Sequence, residues 1–293
     1  MTQLRYVCLF LALVLAAAGG PVGVSAAQGP ERTIYVSVMD QNAAPVPDMK
    51  QEEFSVKEDG VARTITKVDR ASEPIHYVIM VDTTPGLSGA VIDLREGLKG
   101  FTTLLLSVEP KSEFSFVEFG GAGITVMDFT SEQAKIDASL TKLMPKPSES
   151  VLNEALVDVA KKLAAMPPTT RKVIITINLE PTKDSTNVQA RQVAEEVRKS
   201  GAIVWSVVLQ EGTRRDANRE GLLKGLTVNT GGRWIVLQGP ARTNLGNLLR
   251  NIAANTFQQY AVTYTTDPAK PAKITDVTVS RPGVAALSMK WNR

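Results

Sequence analysis

Apolar residues recur along the chain in two rhythms, and each rhythm predicts a different element. Three runs are almost continuously apolar, at 77–81, 172–177 and 202–209. Such runs are typical of strands covered on both faces, as in a parallel sheet. Between them, apolar residues recur at helical spacing, at Val91, Leu94, Leu98, Phe101 and Leu105 and again at Leu152, Leu156, Val159, Leu163 and Met166. This alternation predicts a doubly wound, mostly parallel α/β sheet.

The segment EFSFVEFGGAGITVMDF (113–129) interrupts the alternation. It contains two strand patterns joined by Gly120, Gly121 and Gly123, and the connection is too short for a helix. The two strands therefore form a hairpin, which adds one antiparallel edge strand to the sheet. The glycines lack the strand–loop–helix setting of a phosphate-binding loop, so we assign them to the turn.

Both ends of the chain outside this region return to the pattern of half-buried strands. Apolar and polar residues alternate over 33–71, where Asp59 and Gly60 mark a hairpin, and again from residue 260. Two or three strands rarely bury enough apolar surface to be stable alone. We therefore predict that an N-terminal β segment (28–72) and a C-terminal β segment (258–293) pack together beside an α/β domain (73–257).

The first 27 residues predict a secretory signal peptide. Arg5 precedes a continuous apolar run over residues 6–18, and small residues lead to a cleavage position after Ala26 or Ala27. A transmembrane anchor is the alternative, but the run is short for a bilayer. We expect an exported protein, periplasmic or extracellular. The only cysteine, Cys8, lies in this segment, so the mature chain has neither disulfides nor thiol chemistry.

Composition and charge exclude several classes of function. The chain of 293 residues has a formal net charge of +3, and its lysines and arginines are scattered rather than clustered. This argues against nucleic acid or an anionic membrane surface as the main partner. No second apolar stretch is long enough to cross a bilayer, so we expect no integral membrane segment in the mature chain. His76 is the only histidine, which rules out a histidine-rich metal site. The arginines of EGTRRDANREG (211–221) are interpreted as a solvated loop or helix face.

The predicted topology brings several polar residues to one edge of the sheet. In an open α/β sheet, ligands bind beyond the carboxyl ends of strands, where the winding direction reverses. The first parallel strand ends at Asp82 and a later one at Asn178, while Ser150 precedes a helix. Each also has a structural interpretation: Asp82 suits a turn, Ser150 is favoured as a helix N-cap, and Asn178 and Glu180 suit a loop.

At these residues the chain resembles the von Willebrand factor type A (VWFA) domain. That family carries Asp-x-Ser-x-Ser after its first strand, a Thr or Ser before a later helix, and Asp-Gly after its fourth strand. Asp82 and Thr84 match the first pattern, in which Gly86 replaces the second Ser. Ser150 matches the Thr or Ser, and Asn178 stands where Asp is usual. The flanking segments resemble the acidobacterial-type VWFA-related family of secreted proteins.

The resemblance implies a metal-ion-dependent adhesion site, in which a cation completes its shell with a carboxylate of the partner protein. The corresponding metal ligands are Asp82, Thr84, Ser150 and Asn178. This set is degenerate, because it lacks one carboxylate and one hydroxyl of the family site. We therefore expect no cofactor, and at most weak magnesium or manganese binding. The partner-binding loops would contain Thr83, Gly86, Glu149 and Glu180.

These features predict a secreted or periplasmic, non-enzymatic protein-binding or adhesion module with an unidentified protein ligand. Two alternatives stay open. One is a metal-assisted hydrolase that uses Asp82 and Glu180, although no acid or base partner is apparent in the sequence. The other is a structural or assembly component of the cell envelope, which the sequence does not separate from an adhesion module.

Overall fold

The computed structural model describes residues 29–292, without the side chains of residues 240–242. The predicted signal peptide lies outside these residues. Within them the chain forms thirteen strands and six α-helices. The strands are β1 Glu31–Met39, β2 Phe54–Glu58, β3 Val61–Arg63, β4 Ile65–Arg70, β5 Ile75–Val81, β6 Glu113–Glu118, β7 Ile124–Thr130, β8 Arg171–Glu180, β9 Ile203–Gln210, β10 Trp234–Gln238, β11 Tyr260–Thr265, β12 Thr275–Val279 and β13 Ala285–Ser288. The helices are α1 Val91–Val108, α2 Gln133–Leu140, α3 Leu152–Ala164, α4 Ala190–Ser200, α5 Ala217–Thr230 and α6 Leu245–Phe257.

The central element is a six-stranded sheet in the order β10-β9-β8-β5-β6-β7. Its neighbouring strands are parallel, except that the edge strand β7 runs antiparallel to β6. The predicted mixed α/β class with a mostly parallel sheet is therefore confirmed. β5 and β8 are direct neighbours, with Val81 opposite Ile177, so the residues that follow β5 lie beside the end of β8.

Helices cover both faces of this sheet, which explains why its strands are apolar at successive positions. On β5, Ile75, Tyr77 and Ile79 belong to the apolar core beneath α1 and α6. Val78 and Met80 point the other way, into the core formed with α3, α4 and α5. Because alternate side chains of a strand face opposite sides of the sheet, both sets must be apolar.

The strands from the two ends of the chain pair with one another in two smaller sheets, β13-β1-β11-β4 and β12-β2-β3. Val36 of β1 lies opposite Tyr260 of β11, and Val56 of β2 opposite Val277 of β12. Their inward side chains share one apolar core. Asp59 and Gly60 both have positive φ, the backbone conformation that a two-residue hairpin turn requires. That these segments form a separate domain stays a prediction.

Candidate functional site

The site lies at the carboxyl edge of the central sheet, where β5 and β8 deliver polar residues into the interior. Asp82 follows β5 directly, and its backbone N–H donates to Ile177 O at 2.9 Å. Its carboxylate accepts N–H bonds from Thr84 at 3.1 Å and, more weakly, from Leu179 at 3.4 Å. Asp82 has no exposed surface. A buried carboxylate is costly unless a cation or several donors compensate it.

That cation is Arg219, which the sequence interpretation placed on a solvated face. Arg219 lies in the first turn of α5 and is only 3% exposed. Its Nη2 donates to Asp82 Oδ2 at 2.8 Å and to Asn178 Oδ1 at 3.3 Å. Its Nη1 donates to Ser150 Oγ at 3.2 Å and to Thr182 O at 3.3 Å. The solvated interpretation of residues 211–221 is therefore wrong at Arg219, although Arg214 and Arg215 are exposed.

The helical spacing of α5 indicates that Arg219 is buried. It falls three, four and seven residues before Leu222, Leu223 and Leu226, all of which are buried. The arginine thus occupies the first position of the apolar stripe that packs α5 on the sheet. Asp216 caps the helix by accepting the N–H of Arg219 at 2.9 Å. The guanidinium also lies 5.7 Å from the centre of the Phe119 ring, a favourable cation–π contact.

Ser150 takes part in the site rather than capping α3. The N-cap residue of α3 is Val151, with no side-chain capping bond, so the favoured cap interpretation of Ser150 is wrong. The role passes to Asp184, whose carboxylate accepts the N–H of Asn153 in the first turn at 2.9 Å. Asp184 also receives bonds from the backbone and hydroxyl of Thr186. This leaves the Ser150 hydroxyl facing Arg219.

The amide of Asn178 is held in a fixed orientation by its neighbours on β8 and β9. Its Nδ2 donates to Thr176 Oγ1 at 2.9 Å, to Ser206 Oγ at 3.0 Å and to Val207 O at 3.1 Å. The amide oxygen therefore points to Arg219. A neutral oxygen at this position suits a monovalent guanidinium that already has one carboxylate.

The structure gathers three of the four predicted metal ligands, Asp82, Ser150 and Asn178, around one guanidinium. Thr84 is also buried and lies beside them. It contacts Asp82 through its backbone N–H, and its side chain makes no hydrogen bond to Arg219. Of the predicted partner-binding residues, Glu149 is exposed and Thr83 is buried. Gly120 packs so closely on Thr83 that a Cβ there would lie 2.6 Å from Thr83 Oγ1.

The donor set does not fit a divalent cation alongside Arg219. Magnesium requires near-octahedral oxygen ligands at about 2.0–2.1 Å. Here the oxygens of Asp82, Ser150 and Asn178 are already directed at guanidinium nitrogens. A divalent ion would share one carboxylate with a fixed positive charge. Within residues 29–292, moreover, no group of three or more His, Cys, Asp or Glu side chains is arranged to hold a metal ion.

A groove of about 790 Å³ opens over these buried residues. Its walls are formed by the loops at 84–86, 148–150 and 179–187, together with Leu209 and Glu211. The loop after β5, the segment before α3 and the loop after β8 are those predicted to bind a partner. The groove is therefore the accessible part of the site, whereas Asp82 and Arg219 lie beneath it.

Glu180 forms part of the groove wall although only 6% of the residue is exposed. Its Oε2 accepts the backbone N–H groups of Thr182 at 3.2 Å and Asp216 at 3.1 Å. Burial raises the pKa of the Glu180 carboxyl, and these two N–H donors oppose that change. Through Asp216, Glu180 joins the loop after β8 to the start of α5.

Comparisons with known proteins add information about the fold. No protein-family model and no curated protein matches the sequence. Among solved structures, proximal thread matrix protein 1 from the mussel byssus is 12% identical, with a TM-score of 0.51 over 64% of this chain and 49% of that one. The chain thus spans about half the length of that protein.

Solved VWFA domains are among the similar structures. A von Willebrand factor type A protein from Catenulispora acidiphila is 12% identical, with a TM-score of 0.48 over 91% of this chain and 74% of that one. The vWF domain of a type V pili tip protein from Porphyromonas gingivalis is 12% identical, with a TM-score of 0.47 over 62% of this chain and 95% of that one. Identities this low describe the fold alone. In the part of the chain that the structure describes, no helix has the length and apolar character needed to cross a membrane.

Proposed function

We propose that the protein is a non-enzymatic, VWFA-like protein-interaction module that binds its partner in the groove without a divalent cation. The observation that supports this most strongly is the position of the groove. It lies beyond the carboxyl ends of β5 and β8, where the winding direction of the sheet reverses and ligands of open α/β sheets bind. Three loops from different parts of the chain converge there on a rigid sheet.

The charge of the groove indicates which partner chemistry suits it. Within the described residues, four acidic side chains and Lys183 line the groove, the acids being Glu149, Glu180, Asp184 and Glu211. Arg219 lies beneath them with both terminal nitrogens directed at internal oxygens. A partner carboxylate would therefore meet mainly negative charge. We propose that the partner presents basic and hydrogen-bonding groups instead.

A metal-assisted hydrolase that uses Asp82 and Glu180 is the less favoured candidate. Asp82 is buried in an ion pair with Arg219, so its carboxylate oxygens are not directed into the groove. The Glu180 oxygen that receives bonds is engaged with backbone N–H groups of its own loop and of α5. An activated water would need a base directed towards the groove.

The cellular setting of this function is proposed from the sequence. We propose that the protein is exported, that it belongs with the acidobacterial-type VWFA-related secreted proteins, and that its paired terminal strands form a separate β domain. Intact-mass measurement on protein from the native envelope or medium tests export. We expect a mass that begins at Ala27 or Gln28, and a mass that includes Met1 would contradict cleavage.

A matched pair of charge-changing variants tests the groove as the binding face. Glu149→Arg with Lys183→Trp changes two exposed groove residues. Glu154→Arg with Lys161→Trp makes the same changes on the exposed surface of α3 outside the groove. The mature native protein and both variants are used to capture partners from envelope extract.

We expect the groove variant to lose the partners that both the native protein and the α3 variant retain. Quantitative mass spectrometry of the captured proteins measures this difference. If the groove variant retains every partner at native levels, the binding face lies elsewhere, and a structural role in the envelope becomes the better account.

A further inference from the structure

Arg219 occupies the position at which the resemblance places a divalent cation. Its two terminal nitrogens bind the side-chain oxygens of Asp82, Ser150 and Asn178, residues that reach this point from three different segments of the chain. The guanidinium is almost completely buried, and its hydrogen bonds connect the start of α5 to Asp82 after β5 and to Asn178 on β8. The guanidinium thus connects Asp82, Ser150 and Asn178, the residues that a metal ion at this position would connect.

The surroundings of Arg219 are built to hold a cation in place. Asp216 fixes the backbone of Arg219 at the start of α5, and Glu180 in turn fixes Asp216. Phe119, the residue directly after β6, contributes the electron-rich face of its ring. The local charge also balances, because Asp82 is the one carboxylate in direct contact with the guanidinium among the described residues. A second carboxylate at position 178 would be needed to balance a divalent ion.

We propose that Arg219 is the resident cation of this site. Its guanidinium replaces a divalent ion and keeps the native protein from binding magnesium or manganese there. A metal site is exposed when Arg219 is removed and a carboxylate replaces the amide of Asn178. This inference concerns the buried residues and holds whatever the groove binds. Partner capture and metal binding therefore fail or succeed independently.

Manganese is a suitable probe because its unbound ion gives a measurable electron paramagnetic resonance signal. Four proteins are compared: the native chain, Asn178→Asp, Arg219→Ala with Asn178→Asp, and Arg215→Ala. We expect saturable binding of one manganese ion per chain only in Arg219→Ala with Asn178→Asp. In Asn178→Asp alone the new carboxylate should pair with Arg219 instead. Arg215→Ala is the matched control, since Arg215 is an exposed arginine of the same segment.

Thermal unfolding provides a second readout, because the transition shows both whether each variant is folded and whether manganese stabilises the folded form. Removing Arg219 leaves Asp82 buried without its cation, so the variant should unfold at a lower temperature. A metal that takes the place of the guanidinium binds only the folded form and should raise that temperature again by roughly 5 °C or more. A fourth variant, Asp82→Asn with Arg219→Met, has no charge to compensate and should show no such rescue.

Two results would overturn the proposal. One is saturable manganese binding by the native protein that Asp82→Ala abolishes, because the cation site would then be open in the presence of Arg219. The other is the absence of both binding and thermal rescue in Arg219→Ala with Asn178→Asp. That result would mean that the guanidinium is a structural ion-pair partner and conceals no metal site.

Discussion

Asp82 and Arg219 form an ion pair from which solvent is almost completely excluded. Neither charge would be stable there alone, because burying an unpaired charge costs far more than a single hydrogen bond returns. Ser150, Asn178 and Thr182 supply the other acceptors for the two terminal nitrogens of the guanidinium, whereas its Nε is buried without a partner among the described residues. The stability of the site therefore depends on both members of this pair being present.

Removing one partner of this pair should cost more than removing both. We expect Arg219→Met to lower the free energy of unfolding by about 3–5 kcal/mol, because Asp82 remains buried and unpaired. The double variant Asp82→Asn with Arg219→Met should recover much of that loss. Urea denaturation of the native protein, Arg219→Met, Asp82→Asn and the double variant measures both effects. If the double variant loses the sum of the two single losses, the residues are not coupled.

The buried Glu180 carboxyl predicts a pH dependence of stability with a definite sign. Its folded-state pKa is raised from the ordinary value of 4.5 by burial. The folded state therefore holds this proton more tightly than the unfolded state, and the resulting stability is lost as pH rises from about 4.5 through the raised pKa. Glu180→Gln lacks this titration.

We accordingly expect the native protein to lose stability relative to Glu180→Gln between pH 4 and pH 7. Urea denaturation at both pH values checks this difference. A native protein that gains stability relative to the variant over this range would show that the N–H bonds from Thr182 and Asp216 outweigh the effect of burial.

At the scale of elements, the loops of the site depend on close packing between the segments that follow β5 and β6. Gly120 follows β6 by two residues, and its backbone lies directly against Thr83 and Thr84. A Cβ at Gly120 would lie 2.7 Å from Thr83 C and 2.8 Å from Thr84 N. These are backbone atoms, so the loop itself would have to move.

Gly120→Ala should therefore destabilise the protein by roughly 1–3 kcal/mol, the usual cost of overpacking. Gly100→Ala is the matched control, because a Cβ at Gly100 in the middle of α1 meets open space. That control should be stabilising by about 0.5–1 kcal/mol. Equal stability of the two variants in thermal or urea unfolding would contradict the close packing described for Gly120.

The strands of the central sheet could be predicted from the sequence, whereas the position of Arg219 could not. β5, β8 and β9 coincide with the nearly continuous apolar runs at 77–81, 172–177 and 202–209, so their burial and their parallel arrangement follow from the pattern. The topology then brought Asp82 and Asn178 together. The burial of Arg219 does not follow from the high charge density of its segment, which is typical of a solvated surface; only its helical register with Leu222 and Leu226 indicates it. No short-range pattern relates an arginine on α5 to an aspartate 137 residues earlier.

At the scale of the whole molecule, the α/β body connects to the paired terminal strands through apolar packing of Met39 and Leu287 and through buried polar contacts. Arg171 at the start of β8 donates to Gln259 Oε1 at 3.0 Å, next to β11. Ser37 of β1 donates to Asn255 O at 3.0 Å, near the end of α6. The terminal strands themselves are held mainly by each other, since β11 lies between β1 and β4.

Deleting residues 260–293 should therefore expose residues 31–70 to proteolysis, because β1, β2 and β4 lose their partner strands. Limited proteolysis with mass spectrometry measures this effect. Cleavage within the region from β5 to α6 serves as the internal reference, and we expect it to remain slow. Equal resistance of residues 31–70 in the shortened and intact chains would contradict their dependence on the C-terminal strands.

We propose that this site holds its own arginine in place of a metal ion. Calorimetric titration of the native mature protein with magnesium and with manganese tests it most directly. We predict no saturable heat of binding for either ion, because Arg219 already occupies the oxygens of Asp82, Ser150 and Asn178. A micromolar affinity that Asp82→Ala abolishes would contradict the account and restore a metal-ion-dependent adhesion site.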